Sequence, residues 1–208
     1  MVDALIVVDV QNDFCHPEGA MARRGADVGG ARQVVAATER LADAFRPEGR
    51  PVIFVRTEHG KWTDSPTWGR RLDGTSLGRS ADAAPICAEG TWGAEFFMLA
   101  PQPVDRVLVK HRYSAFFGTE LDTVLRAARV QSVAITGVAT NVCVEATARD
   151  AFMRDLETLV VREGCAGLDP EEHEAGLHNI DTYFGRVVGL ADLLPQDALH
   201  DHVRSGSA

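Results

Sequence analysis

Residues 130–150 read VQSVAITGVATNVCVEATARD, and this stretch indicates how the chain folds. Residues 130–136 are mostly β-branched or small and apolar, which is typical of a buried strand. A turn containing Gly137 follows, and the residues after it favour a helix. Cys143 is therefore predicted near a helix N-terminus, where unpaired amide hydrogens and the helix dipole favour a thiolate. Because a thiolate attacks carbonyl carbon, Cys143 is a candidate nucleophile.

Strand and helix patterns alternate along the rest of the chain. The predicted strands are 4–9, 51–56, 104–110, 130–136, 157–161 and 186–190, and the predicted helices are 31–45, 121–128, 143–153 and 170–183. The continuous apolarity of the first strand suggests that both faces of the sheet are covered. This order predicts a three-layer α/β/α fold with a six-stranded, mainly parallel sheet. Ligands in such folds bind beyond the carboxyl ends of the strands.

The composition limits the classes of protein to which the chain can belong. With 208 residues, 45% of them hydrophobic and 25% charged, the chain is expected to form one globular domain over residues 1–208. A net charge of −9 argues against general binding to nucleic acids or anionic membranes. The N-terminus lacks the pattern of a signal peptide and no apolar run could span a bilayer, so we expect a cytoplasmic protein. The scattered cysteines favour neither disulfides nor structural zinc.

Two segments lie outside the regular pattern. Residues 58–97 are irregular and rich in Gly, Pro, Ser and Trp, and we expect this long loop to form a lid or a wall of a pocket. Residues 204–208 are expected to form a flexible tail.

Three chemically active residues lie at the ends of three predicted strands. Asp9 ends the first strand, Lys110 ends the third, and Cys143 follows the fourth. Because parallel strands end at one edge of a sheet, these residues could supply a base, a cation and a nucleophile to one site. Each also has an ordinary structural interpretation, as a helix cap, a solvated lysine or a small buried residue.

The contexts of these residues resemble the motifs of the isochorismatase-like cysteine hydrolase family. Asp9 lies in VVDVQNDF (7–14), Lys110 in VKHRYSAFFGT (109–119) and Cys143 in GVATNVCV (137–144). The segment GAEF (93–96) is a fourth match. The motifs occur in the family's order and span most of the chain, which makes the resemblance specific.

The resemblance implies a catalytic triad of Asp9, Lys110 and Cys143. It also implies an oxyanion hole formed by the backbone amides of Ala139 and Cys143, with a cis peptide between Val138 and Ala139. The implied reaction is a cofactor-free amide hydrolysis: the cysteine attacks the carbonyl, ammonia leaves, and water releases the product from a thioester-type intermediate. Family members are commonly homodimers or homotetramers, and we expect a homo-oligomer here.

The branch of the family determines the expected substrate. Isochorismatases typically lack the cysteine, so amide chemistry is favoured. Nicotinamidases commonly bind a metal through Asp-x-His; here Thr57 replaces the aspartate while His59 remains, and Ile86 stands where another histidine would be. No metal is therefore expected. Residues 110–119, 139–144 and 179–185 look most like the ureidoacrylate or N-carbamoyl amidohydrolase branch, which implies a small carboxamide or ureido substrate.

The sequence also allows other interpretations of the protein's function. They are a nicotinamidase-like or isochorismatase-like hydrolase, a metal-assisted hydrolase that uses His59, and a non-catalytic interaction subunit on the same fold.

Several further residues are candidates for substrate binding. They are Phe14, His59, Trp62, Trp92, Arg112, Tyr113 and Phe116, with Trp68 as an additional pocket wall. The aromatic residues could equally pack in the core. Arg112 could hold a substrate carboxylate through two hydrogen bonds, or form a structural ion pair instead.

Overall fold

The central sheet has six strands. In chain order these are β1 (Ala4–Val8), β2 (Val52–Thr57), β3 (Arg106–Lys110), β4 (Ser132–Val138), β5 (Glu157–Ala166) and β6 (Arg186–Val188). The spatial order is β3-β2-β1-β4-β5-β6, and every pair of neighbours is parallel. The computed structural model describes residues 1–75, 77–78 and 85–195. The predicted tail 204–208 and part of the predicted loop 58–97 lie outside those residues.

The helices cover both faces of the sheet. They are α1 (Asn12–Cys15), α2 (Ala20–Arg23), α3 (Ala31–Phe45), α4 (Pro66–Gly69), α5 (Leu121–Ala127), α6 (Glu145–Phe152) and α7 (Pro170–Asn179). Helix α3 packs with Leu5 and Val7 on one face, whereas α5, α6 and α7 pack with Ala4, Ile6 and Val8 on the other. Successive residues of β1 therefore face opposite layers, which is why the strand is continuously apolar. The predicted three-layer α/β/α architecture is confirmed.

Two predicted helices differ from the observed ones. The turn that carries Cys143, Thr140–Val144, is π-helical, and α6 begins only at Glu145. Helix α7 ends at Asn179 and continues into a second π-helical turn, Ile180–Phe184. Short 3-10 turns are formed by Arg46–Glu48, Trp92–Ala94 and Leu190–Asp192. Hydrophobic spacing does not separate a π-helical turn from the α-helix that follows it, because both bury the same face.

Buried polar side chains fasten the described part of the loop 58–97 to the sheet. Gln11 donates from Nε2 to the carbonyls of Thr57 and Ala94, both at 2.8 Å, and accepts from the Thr57 amide at 2.7 Å. The Asp13 carboxylate accepts from the amides of Ala20 at 2.9 Å and Cys87 at 2.6 Å. These bonds keep the loop over the carboxyl ends of β1 and β2.

Within the described part of the chain, no helix combines the length and the hydropathy that a membrane crossing requires.

Candidate active site

Asp9 follows the last residue of β1 and is completely buried. Its φ of 54° is uncommon for a residue with a side chain and occurs where the surrounding structure imposes it. The carboxylate forms an ion pair with Lys110, with 2.7 Å between Oδ2 and Nζ, and Oδ1 accepts a hydrogen bond from the Thr57 hydroxyl at 2.9 Å. Asp9 is thus held on both oxygens before any substrate arrives.

Lys110 ends β3, and its ammonium group joins several parts of the site. Nζ donates to the Thr57 hydroxyl at 2.7 Å and to the Arg112 carbonyl at 2.9 Å, and it lies 3.5 Å from the sulfur of Cys143. Burial is the largest single effect and disfavours the ammonium form, but Asp9 and Cys143 together outweigh it, so the net pKa of Lys110 is raised. The side chain is therefore a fixed cation beside the sulfur.

Thr57 belongs to this group, although the sequence identifies it only as a missing metal ligand. It is the last residue of β2, directly opposite Lys110 in the β2–β3 register. Strand order and register bring it between Asp9 and Lys110. Neither can be read from the spacing of residues along the chain, which is why sequence reasoning missed this role.

Cys143 is buried within the turn Thr140–Val144, which we call the cysteine turn. The peptide bond between Val138 and Ala139 is cis, which confirms the expectation from the family resemblance. Burial raises the pKa of the Cys143 thiol, Lys110 opposes this effect, and the charge of Asp9 adds to it. Burial therefore opposes the effect of the helix N-terminus and favours the protonated thiol.

Helix α7 supports the cysteine turn from behind. The Thr140 hydroxyl is 2.8 Å from Nδ1 of His173, and Asn141 donates to the carboxylate of Glu172 at 2.9 Å. Gly176 packs so closely that a Cβ atom there would lie 2.8 Å from the Asn141 Cα. Burial lowers the pKa of His173, which favours the neutral imidazole in contact with Thr140.

A cavity of about 90 Å³ opens beside Cys143, Lys110 and Ala139. Four of the predicted substrate-binding residues line it: Phe14, His59, Arg112 and Tyr113. Trp68, the additional candidate wall, lines it as well. Most of the other lining residues are apolar and were not identified from the sequence: Met21, Leu72, Leu77, Ile86, Val142 and Leu168. They come from separate segments of the chain, and no local pattern distinguishes them from core residues.

Three predicted substrate-binding residues lie outside the cavity lining. Trp62 is 87% exposed and contacts Lys61, since the loop directs it to solvent. Trp92 is half exposed and packs edge-on against His16. Phe116 is buried in the core beneath the guanidinium of Arg154. Their aromatic character was a correct indication of packing, but not of a position facing the cavity.

Arg71, which was also missed, points its guanidinium into a cluster of aromatic and polar groups at the cavity wall. It donates to the Trp68 carbonyl at 3.1 Å and contacts Nε2 of His59 at 3.3 Å. Nδ1 of His59 is 2.9 Å from the Asp64 carboxylate. Burial lowers the pKa of His59 and the charge of Arg71 lowers it further, so a neutral ring that donates to Asp64 and accepts from Arg71 fits these contacts.

The residues at the position of the nicotinamidase metal site do not fit a metal ion. Thr57 is hydrogen-bonded to Asp9 and Lys110, and both ring nitrogens of His59 have protein partners. Among the described residues, no three His, Cys, Asp or Glu side chains lie together as a possible ligand set. No step of the chemistry below involves a metal.

Comparisons with known proteins show the family to which the chain belongs. The model of the isochorismatase domain matches residues 3–192. The ureidoacrylate amidohydrolase RutB of Methylobacterium radiotolerans is 40% identical over 197 residues, which are 90% of this chain and 76% of that protein.

Solved structures of similar proteins lead to the same family. The nicotinamidase PncA from Bacillus subtilis superposes with a TM-score of 0.74 at 28% identity, covering 90% of this chain and 99% of that one. The N-carbamoylsarcosine amidase from Thermoplasma acidophilum superposes with a TM-score of 0.71 at 29% identity, covering 91% and 97%. The chain belongs to the isochorismatase family and is a hydrolase that acts on carbon–nitrogen bonds of linear amides.

Proposed function

We propose that this protein is a cofactor-free cysteine amidohydrolase that releases ammonia from a small ureido, N-carbamoyl or similar carboxamide substrate. The observation that carries the proposal is the convergence of Asp9 and Lys110 on the sulfur of Cys143 at the wall of a largely apolar cavity. The fixed cation lies 2.7 Å from the base and 3.5 Å from the nucleophile, and so it joins the groups that nucleophilic catalysis requires.

In the first half of the proposed reaction, the Asp9 carboxylate takes the thiol proton of Cys143 while sulfur forms a bond to the substrate carbonyl carbon. Because burial raises the pKa of the thiol, a base beside sulfur assists the attack. Negative charge develops on the carbonyl oxygen, and the backbone amides of Ala139 and Cys143 are proposed to stabilise it. Lys110 compensates the change in charge around sulfur.

In the second half, protonated Asp9 gives its proton to the leaving nitrogen, and the carbon–nitrogen bond breaks to release ammonia. The acyl group remains on sulfur as a thioester, or as a thiocarbamate when the substrate is a ureido compound. Asp9 then accepts a proton from water, whose oxygen attacks the acyl carbon, and the carbon–sulfur bond breaks as the thiol recovers its proton. A ureido substrate would yield a carbamate, which decomposes to carbon dioxide and an amine.

Two observations support a substrate of this size and class. The cavity is small, about 90 Å³, which favours a compact substrate. Among the relatives compared above, one is named for ureidoacrylate and one for N-carbamoylsarcosine, and both names describe carbamoyl amides. The similarity to a nicotinamidase makes nicotinamide the second candidate substrate. The missing metal ligands make it the less favoured one.

An ammonia-release screen tests the proposal. The panel contains ureidoacrylate, N-carbamoyl amino acids, maleamate, biuret and nicotinamide, and wild type is compared with Cys143→Ser and Cys143→Ala. Turnover of at least one amide is expected in wild type, with a loss of about 10⁴-fold or more in both variants.

Cys165→Ala is the matched control, because it also removes a buried thiol, one that lies away from the cavity lining. It should keep its activity. Undiminished ammonia release by the Cys143 variants would reject the proposal. Inactivity on the whole panel, together with a Cys143 that does not react with iodoacetamide, would favour the non-catalytic subunit.

A further inference from the structure

Every charged side chain that lines the cavity among the described residues is a cation. These are Lys110, Arg71 and Arg112. The positive charge of Lys110 is balanced by Asp9 at 2.7 Å. Within the described part of the chain, neither Arg71 nor Arg112 has a carboxylate within 4.0 Å. The protein as a whole carries a net charge of −9, so this cationic wall is a local feature that opposes the overall field.

Neutral groups, rather than acids, hold the two guanidinium groups in place. Nη1 of Arg112 donates to the carbonyls of Thr63 at 3.0 Å and His111 at 2.6 Å, so this group is committed to the backbone. Nη1 of Arg71 donates a hydrogen bond to the Trp68 carbonyl, whereas Nη2 makes the longer contact of 3.3 Å with the His59 ring. Such partners orient the guanidinium plane without neutralising its charge, which leaves the charge available to an anion.

An aromatic platform fixes the position of Arg71. Its guanidinium carbon lies 4.8 Å from the centre of the Trp68 ring. Tyr113 packs on Trp68 with 4.7 Å between ring centres. Burial raises the pKa of Tyr113, and the charge of Arg71 opposes this effect. Tyr113, Arg71 and Cys143 thus line the same cavity.

We propose that Arg71, oriented by His59 and Trp68, binds an anionic group at the end of the substrate opposite the amide, so that the enzyme selects carboxylate-bearing amides over neutral ones. The inference rests on the proposed amide hydrolysis for its kinetic test, but not for its binding test. His59, which the sequence relates to a metal ligand, here acts as a positioning residue for Arg71. A partly buried guanidinium whose partners in the described part of the chain are neutral is suited to bind a carboxylate through two short, charge-assisted hydrogen bonds.

The kinetic test compares N-carbamoylglycine with isobutylurea, which replaces the carboxylate by a neutral group with the same number of heavy atoms. Wild type should prefer the acid by at least about tenfold in kcat/KM, the range expected for hydrogen bonds to a charged group. Arg71→Met should remove that preference mainly through KM, and Arg71→Lys should restore part of it. The control is Arg70→Met, because Arg70 is an exposed neighbour outside the cavity lining.

The binding test needs no turnover. Succinate is used to protect Cys143 from alkylation by iodoacetamide, and the labelled peptide is quantified by mass spectrometry. Protection is expected in wild type and in Arg70→Met, and it should be lost in Arg71→Met. Succinamide, which is neutral, should protect all three proteins weakly and equally.

Equal treatment of acid and neutral probes by wild type, or an unchanged preference in Arg71→Met, would overturn the inference. If no amide is hydrolysed but succinate still protects Cys143 through Arg71, the proposed function fails while the anion site stands.

Discussion

The Thr57 hydroxyl connects Lys110 to Asp9 because it accepts a hydrogen bond from the ammonium group and donates one to the carboxylate, at 2.7 and 2.9 Å. All three side chains are buried. The directions of these bonds are fixed by chemistry, since an ammonium group can only donate and an ionised carboxylate can only accept. Thr57 therefore orients the proposed base without touching the reacting carbon.

Replacing Thr57 by Val should lower kcat/KM by about 10- to 100-fold, as removal of an orienting partner typically does. Valine fills the same volume, but it leaves a lysine proton and a carboxylate oxygen without a partner. Thr57→Ser should restore most of the activity. Equal kcat/KM values for wild type and Thr57→Val would contradict this positioning role.

At the residue scale, the sequence identifies residues that lie in recognisable motifs. It does not identify residues that reach the site only because of strand pairing or the path of a loop. Asp9, Lys110 and Cys143 lie together as expected from strand ends and family resemblance. Thr57 and Arg71 lie in no motif. The position of Thr57 in the site depends on strand pairing, and that of Arg71 depends on the path of an irregular loop. Burial of the thiol could not be read from the sequence either, and it raises the pKa of Cys143 against the opposing charge of Lys110.

At the scale of elements, the contact between α7 and the cysteine turn determines where the sulfur lies. Helix α7 packs against this turn through Gly176, and its polar residues bind Thr140 and Asn141. Strands and longer helices were predictable because their apolar residues recur with a clear period. The turn Thr140–Val144 was not, since π-helical geometry has no sequence period of its own in so short a segment.

Gly176→Ala should reduce both stability and activity. An alanine in the middle of a helix usually stabilises it, but here the new Cβ would lie 2.8 Å from Asn141 Cα and 3.0 Å from its backbone nitrogen. The overpacking is expected to cost about 1–3 kcal/mol, measured by urea unfolding, and to displace Cys143.

His178→Ala, on the exposed side of α7, is the control and should change neither property. A Gly176→Ala variant that is as stable and active as wild type would mean that α7 does not hold the turn.

At the scale of the whole molecule, buried thiols make stability depend on pH. Burial raises the pKa of both Cys15 and Cys165 from 9.0 to about 12. Above about pH 9 the unfolded chain loses these protons while the folded protein keeps them. The folded state is therefore favoured below pH 9 and loses stability as the pH rises, by up to about 1.4 kcal/mol per pH unit for each thiol.

Urea unfolding at about pH 8 and about pH 10 tests this dependence. Cys15→Ala and Cys165→Ala should each lose less stability between the two pH values than wild type does. Because each protein is compared with itself at the two pH values, any change in the free energy of unfolding that the substitution causes at both pH values cancels. An equal loss in all three proteins would show that these thiols do not determine the alkaline limb.

The overall architecture was the most predictable property of the molecule, because the alternation of strands and helices with continuous apolar strands leaves few parallel topologies. The cavity was the least predictable, since its walls come from α2, the long loop and the ends of β2, β3 and β4. The expected homo-oligomer stays a prediction.

The most direct test of the central claim is mass spectrometry of the enzyme quenched with acid during turnover of N-carbamoylglycine. The account predicts an added carbamoyl-derived mass on the peptide that contains Cys143, present in wild type and in Cys165→Ala and absent in Cys143→Ser. Full turnover with no adduct on Cys143, and undiminished turnover by Cys143→Ser, would contradict it.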